Sequence, residues 1–202
     1  MIFREETQGK KTIFLDRDGT INEEVNYLYK KEDLKLIEGA SEAIALFCKA
    51  GYRVVVVTNQ AGVARGYYTE EDVKILHQYL NELLAPFSAH IDAFYYCPHH
   101  PVHGLGKYKT DCECRKPKTG LLKQAERDCA VDKAHSWMIG DKISDTKAGQ
   151  AYGVGTILVG TGYGREIYEK DCLKQQEKEY DVYQPDLYQA AVWILNREQK
   201  GE

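Results

Sequence analysis

The chain has 202 residues, 43% of them hydrophobic and 29% charged, with a formal net charge of −4. This is one domain's worth of chain at about 150 residues per domain, and its near-average balance excludes wholesale disorder and low-complexity architecture. The 27 basic residues are scattered among 31 acidic ones, which leaves no general footprint for nucleic acid, so an anionic ligand has to be met by locally concentrated cations.

Met1–Lys11 carries Arg4, Glu5, Glu6 and Lys10 in place of the apolar centre of a secretory leader, and a cytoplasmic protein is expected. Lys11–Leu15 reads as a buried strand ending in the polar loop Asp16-Arg17-Asp18-Gly19-Thr20. Ser41–Ala50 sets Ala43, Ile44, Leu46 and Phe47 at helical spacing before Gly51. Arg53–Thr58, with four consecutive valines, reads as a strand covered on both faces, followed by the turn Asn59–Gly62. Thr69-Glu70-Glu71-Asp72 fits a capping box for a helix carrying Val73, Leu76, Leu80 and Leu83.

Next come a strand at Ile91–Tyr96, a helix at Leu121–Ala130, a strand at His135–Ile139, a helix at Asp145–Tyr152 and a strand at Thr156–Val159. A short strand starting at Asp181–Val182 and a helix over Asp186–Asn196 close the chain. The longest apolar runs, Val54–Val57 and Ala190–Leu195, fall far short of the roughly 20 residues of a membrane span. Cys48 and Cys129 read as core residues on apolar helical stripes, and Tyr95 and Tyr96 as edge packing with wet hydroxyls. The alternation predicts a single α/β domain over 1–202, a three-layer Rossmann-like parallel sheet with helices on both faces. Ligands bind beyond the carboxyl ends of such strands. Three of those ends bring Asp16 and Asp18, Thr58 and Asn59, and Gly140, Asp141 and Lys142 to one place.

Two carboxylates flanking one residue after a strand can divide phosphoryl-transfer chemistry between them, one as nucleophile and the other as proton donor and acceptor. An isolated Asp-x-Asp is more often a solvated turn, and the Thr58 and Asp141 strand ends are what favour chemistry here. Of six cysteines, Cys97, Cys112 and Cys114 fall close together. The pairs Cys97-Pro98-His99 and Cys112-Glu113-Cys114 offer three thiolates and an imidazole, a closed zinc set, with His100 and His103 as rival ligands. The loop Pro101–Asp111 has too little apolar content for a core of its own, and it leads into Arg115-Lys116-Pro117.

Phe14–Thr20 resembles the DxDGT motif of the haloacid dehalogenase phosphohydrolase superfamily. Val57-Thr58-Asn59-Gln60, Lys116 and Ile139-Gly140-Asp141-Lys142 resemble its second, third and fourth motifs, in order. The resemblance implies Asp16 as nucleophile, Asp18 as general acid/base, and Mg²⁺ held by the Asp16 carboxylate, the Asp18 carbonyl and Asp141. Thr58 and Lys116 would bind the transferring phosphoryl group. Asp145 would support the cation site or cap the following helix, and Arg65 would face substrate or solvent.

With the zinc loop, the chain looks like the cap-less branch that holds heptose bisphosphate and histidinol-phosphate phosphatases, and Asn59–Gly66 and Gly140-Asp141-Lys142 look like the heptose side. That likeness implies zinc on Cys97, His99, Cys112 and Cys114 and a monomer acting on a sugar bisphosphate. It further implies release of the 7-phosphate through an aspartyl-phosphate, in the supply of nucleotide-activated heptose. Substrate contacts would fall on Glu24, Val25, Asn26 and Tyr27, on Thr58, Asn59, Gln60 and Ala61, and on Arg115, Lys116 and Lys142. Val25 departs from the polar residue the likeness calls for, and the tail Arg165–Tyr180 is longer. Histidinol phosphate is the alternative substrate, and a zinc-stabilised binding module without catalysis the alternative of another kind.

Overall fold

The computed structural model describes residues 9–174 and 178–200, so most of the N-terminal stretch read as lacking a leader, and three residues of the 165–180 tail, lie outside it. Six parallel strands stand in the order β3-β2-β1-β4-β5-β6. They are β1 (Thr12–Leu15), β2 (Arg53–Asn59), β3 (Ala93–Cys97), β4 (Trp137–Gly140), β5 (Gly155–Val159) and β6 (Val182–Gln184). The helices are α1 (Ala40–Lys49), α2 (Ala61–Ala64), α3 (Glu70–Leu84), α4 (Gly120–Asp128), α5 (Ile143–Tyr152), α6 (Gly164–Lys174) and α7 (Leu187–Lys200).

The two-residue period of a strand divides its side chains between two cores. Ile13, Leu15, Val54 and Val56 pack with α1, α3 and α7 on one face, while Phe14, Val55 and Val57 pack with Leu121, Leu122 and Ala125 of α4 and with Ala148 and Tyr152 of α5 on the other. Both faces being covered, the valine run shows no polar alternation, and each buried valine stabilises the fold by about 2 kcal/mol. The capping box of α3 forms as its sequence requires: Asp72 N–H donates to Thr69 Oγ1 at 3.2 Å and Thr69 N–H to Asp72 Oδ2 at 2.8 Å.

Several local expectations change. Residues 61–64 and 164–174 are helical rather than turn and tail, and α5 begins at Ile143, two residues before Asp145. Cys129 is exposed because α4 stops at Asp128, and Cys48 is only half-buried. The hydroxyls of Tyr95 and Tyr96 are not simply wet: they donate to Asp128 Oδ2 at 2.7 Å and to Glu70 Oε2 at 2.8 Å. Among the described residues no helix is long and apolar enough to cross a membrane.

The chain runs outward from β1 through β2 to β3, then returns to the other side of β1 and continues through β4, β5 and β6. This reversal opens a crevice between β1 and β4, the place where such sheets hold ligands. Leu15 sits opposite Ile139, and Asp16 N–H donates to the Ile139 carbonyl at 3.0 Å, so the residues that follow both strands face each other across the crevice.

Candidate active site

A cleft of about 540 Å³ opens at this crevice, lined among others by Asp16, Asp18, Thr58, Lys116, Lys142 and Asp145. Lys116 is buried at its base, with Nζ 3.0 Å from Asp16 Oδ1 and 2.8 Å from Asp145 Oδ1, as charge pairs rather than aligned hydrogen bonds. Burial disfavours its charge, but Asp145 and Asp16 outweigh that and hold the ammonium above its ordinary pKa. Its backbone is fixed by Asn59, whose Oδ1 accepts from Lys116 N–H at 3.0 Å and whose Nδ2 donates to Lys116 O at 3.1 Å.

Asp16, Asp141 and Asp145 each bring a carboxylate oxygen within 4.8 Å of the others, all three side chains buried. Burial, with Asp16 and Asp145 nearby, pushes Asp141 up to about 8 against the pull of Lys142 and the Tyr163 N–H. Asp141 Oδ1 has no hydrogen-bond partner among the described residues. The unpartnered Asp141 oxygen beside the Asp16 carboxylate fits a hard divalent cation such as Mg²⁺. Gly19, at φ +83°, allows the crowding, since a Cβ there would overlap the Asp141 carboxylate. Asp145 does two jobs: Oδ1 faces Lys116, while Oδ2 accepts from the Lys142 N–H at 3.0 Å and so caps α5.

Asp18 accepts from Arg17 Nε at 3.1 Å, Asn22 Nδ2 at 3.0 Å and Gln60 Nε2 at 2.9 Å. Burial pushes its carboxyl up, yet the Arg17 charge and these hydrogen bonds together hold it below the usual carboxylate range. Lys142 Nζ donates to Glu24 Oε2 at 2.9 Å and lies 3.7 Å from Asp141 Oδ1. Burial lowers the Lys142 pKa, but Asp16, Asp141 and Glu24 raise it further, and the side chain stays charged. Asn26 and Tyr27, both in the left-handed region at φ 49° and 66°, line the same cleft, as do Asn59, Gln60 and Ala61.

Val25 and Arg115 lie outside the cleft lining. Val25 is exposed, and Arg115 Nη1 donates to the His99 carbonyl at 3.2 Å, which ties it to the cysteine loop. Arg65 also lies outside the lining, its guanidinium 5.7 Å from the Tyr27 ring centroid. The cleft instead includes Tyr163 and, from α6, Glu166, Ile167 and Lys170, which sequence reasoning missed. Their only advance signal is a glutamate and a lysine at i,i+4 spacing, realised as an ion pair of 2.6 Å.

Beside the cleft, the ligand atoms of Cys97, His99, Cys112 and Cys114 lie within 4.8 Å of one another. His99 Nδ1 is 3.8 Å from Cys97 Sγ and 3.7 Å from Cys114 Sγ, and all three cysteines are free thiols. The rival His100 is engaged elsewhere, its Nδ1 accepting from the Val102 and His103 N–H groups at 3.2 and 3.0 Å. Three thiols and one imidazole at these separations fit a closed tetrahedral zinc site. The register places Cys97 opposite Asn59, so the cysteine loop leaves the sheet beside the residue that fixes Lys116.

The HAD-hydrolase-like family model matches residues 113–190. The D-glycero-beta-D-manno-heptose-1,7-bisphosphate 7-phosphatase of Vibrio cholerae is 47% identical over 155 residues, 76% of this chain and 83% of that one. The Haemophilus ducreyi protein of the same name is 44% identical over 188 residues, 92% and 99% of the two chains. Among solved structures, the D,D-heptose 1,7-bisphosphate phosphatase of B. bronchiseptica, complexed with magnesium and phosphate, superposes with a TM-score of 0.79 at 32% identity, covering 93% of this chain and 99% of that one. The parallel sheet, the strand-end carboxylates and these relatives agree, and the chain belongs to the heptose-1,7-bisphosphate 7-phosphatase family of haloacid dehalogenase-like phosphoric monoester hydrolases.

Proposed function

We propose that this chain removes the 7-phosphate of D-glycero-D-manno-heptose 1,7-bisphosphate, leaving the heptose 1-phosphate, through an aspartyl-phosphate on Asp16. The observation that carries the reading is the meeting of Asp16, Asp18, Thr58 and Lys116 beside the buried Asp16 and Asp141 carboxylates at the β1/β4 crevice, in a chain with these relatives. An Asp16 carboxylate oxygen forms the new bond to phosphorus while the bond from phosphorus to the sugar oxygen breaks. Asp18, held ionised before substrate enters, takes up the proton that a phosphomonoester monoanion brings and passes it to the leaving oxygen. Asp18 then accepts a proton from water, whose oxygen attacks phosphorus and frees the Asp16 carboxylate.

Lys116 and the Thr58 hydroxyl offset charge on the phosphoryl oxygens, and Asp145 keeps Lys116 in place. Mg²⁺ on Asp16, the Asp18 carbonyl and Asp141 would supply further charge neutralisation at the transferring group. Zinc on Cys97, His99, Cys112 and Cys114 would close the 97–114 loop and orient the Arg115-Lys116 pair. We read the chain as a single-domain cytoplasmic monomer that requires neither membrane nor nucleic acid, its product destined for nucleotide activation.

The test is phosphate release by the purified protein with Mg²⁺ from both anomers of the heptose bisphosphate and from histidinol phosphate. A higher kcat/KM on histidinol phosphate overturns the substrate reading.

A further inference from the structure

Gln60 is a candidate substrate contact by sequence, yet it is 1% exposed and its amide is fully used inside the protein. Nε2 donates to Asp18 Oδ2 at 2.9 Å and to Thr58 Oγ1 at 3.0 Å, while Oε1 accepts from Tyr68 OH at 2.7 Å and from Arg17 Nη2 at 3.3 Å. A side-chain amide offers two donors and one oxygen with two lone pairs, so nothing is left for a sugar hydroxyl. Its orientation is also unique. Arg17 has no acceptor and an ionised Asp18 has no donor, so a flipped amide would set donor against donor and acceptor against acceptor.

The Tyr68 that holds the amide oxygen is itself placed by sequence. Its ring occupies the space a Cβ would take at Gly62, and Tyr29 stacks on it with centroids 5.9 Å apart. By accepting from Gln60, the Thr58 oxygen keeps its own proton free for a phosphoryl oxygen.

We propose that Gln60 is a positioning residue: oriented by Tyr68 and Arg17, its amide holds the Asp18 carboxyl and the Thr58 hydroxyl in one arrangement, so that the proton reaches the leaving oxygen as the phosphorus–oxygen bond breaks. At the end of β2 Asn59 thus serves Lys116, and just past it Gln60 serves Asp18, with none of the Gln60 amide left for the sugar. The inference rests on Asp18 as proton donor, the role assigned to it above.

Aryl phosphates separate the readings, because p-nitrophenolate leaves without a proton whereas phenolate depends on one. Phenyl phosphate and p-nitrophenyl phosphate have nearly the same shape and carry no sugar. The experiment measures kcat/KM, which reports the steps through leaving-group departure, for wild type, Gln60→Leu, Tyr68→Phe and Asp18→Asn with Mg²⁺. Gln60→Leu is expected to lose about 100-fold on phenyl phosphate, the scale of a general acid's contribution, and under about 5-fold on p-nitrophenyl phosphate. Tyr68→Phe, which keeps the amide but loses one of its anchors, shows the same selectivity at about 5- to 10-fold, and carries the test if Gln60→Leu does not fold.

Equal losses on both substrates mean a merely structural role and overturn the proposal. So do unchanged values on both, with a raised KM confined to the heptose bisphosphate, since that is the mark of a sugar contact. Selectivity in Asp18→Asn but not in the other two variants removes the role of Gln60 alone. Its absence from Asp18→Asn as well takes down the acid assignment with it.

Discussion

His77 on α3 is the buried base whose ionisation the fold resists. It is 5% exposed, lies against Phe94 with ring centroids 4.4 Å apart at 14°, and its Nε2 has no partner among the described residues. Burial, with the Arg17 charge adding to it, pushes its pKa from 6.5 down to about 3. The unfolded chain therefore takes up a proton near pH 6.5 that the folded chain refuses until about pH 3. Proton uptake by the unfolded state makes stability rise with pH in that window: the full value holds above pH 6.5 and is lost progressively as pH falls toward 3.

At about 1.4 kcal/mol per pH unit, the loss between pH 7 and pH 5 is about 2 kcal/mol, or roughly 4–8 °C in Tm for a chain of this size. His77→Phe keeps an aromatic ring against Phe94, forfeits no hydrogen bond at Nε2 and cannot be protonated. Thermal denaturation of wild type and variant at pH 7 and pH 5, at matched metal content, should show the variant's relative Tm rising by that interval on acidification. Parallel pH dependences would refute the reasoning, because they would mean that the folded protein protonates His77 as readily as the unfolded chain does.

Asp16→Asn should lower kcat by at least about 1,000-fold with the far-ultraviolet circular dichroism unchanged, since it removes the attacking oxygen and leaves the Lys116–Asp145 pair in place. Cys112→Ser should reduce bound zinc, read by atomic emission, and lower Tm by several degrees, because the loop has no apolar core to hold it otherwise. Lys170→Ala should raise KM for the heptose bisphosphate about 3- to 10-fold with kcat nearly unchanged, the mark of a cation at the cleft wall away from the reacting atoms; no change in KM would remove α6 from substrate binding.

The strand-end carboxylates were legible because β1 and β4 are short apolar runs that stop abruptly at polar turns, and a parallel sheet leaves those turns one place to meet. The capping role of Asp145 was legible too, but its pairing with Lys116 was not, because the 2.8 Å approach joins residues 29 positions apart and no spacing encodes it. Helix α6 escaped notice because its residues form no apolar stripe and it follows a run of glycines at 160, 162 and 164, which reads as continuing loop. Asn59 and Gln60 were found at the right strand end, on the wall of the cleft, but their hydrogen bonds to Lys116 and Asp18 were not legible. A motif states which side chains leave a strand end, while whether they point at the ligand or back into the protein is decided by partners as distant as Lys116 and Arg17.

The cysteine loop hangs from β3, the outermost strand on its side of the sheet, whereas the carboxylates belong to β1 and β4 at the centre. Residues 100–111 can therefore lengthen, shorten or change character without disturbing the ladder that holds Asp16 against Ile139. What must survive such drift is narrow: the knot of four ligands, and the two hydrogen bonds by which Asn59 grips Lys116. This separates invention from risk: a tethered margin at the sheet edge is free to change while the reactive centre keeps the same backbone.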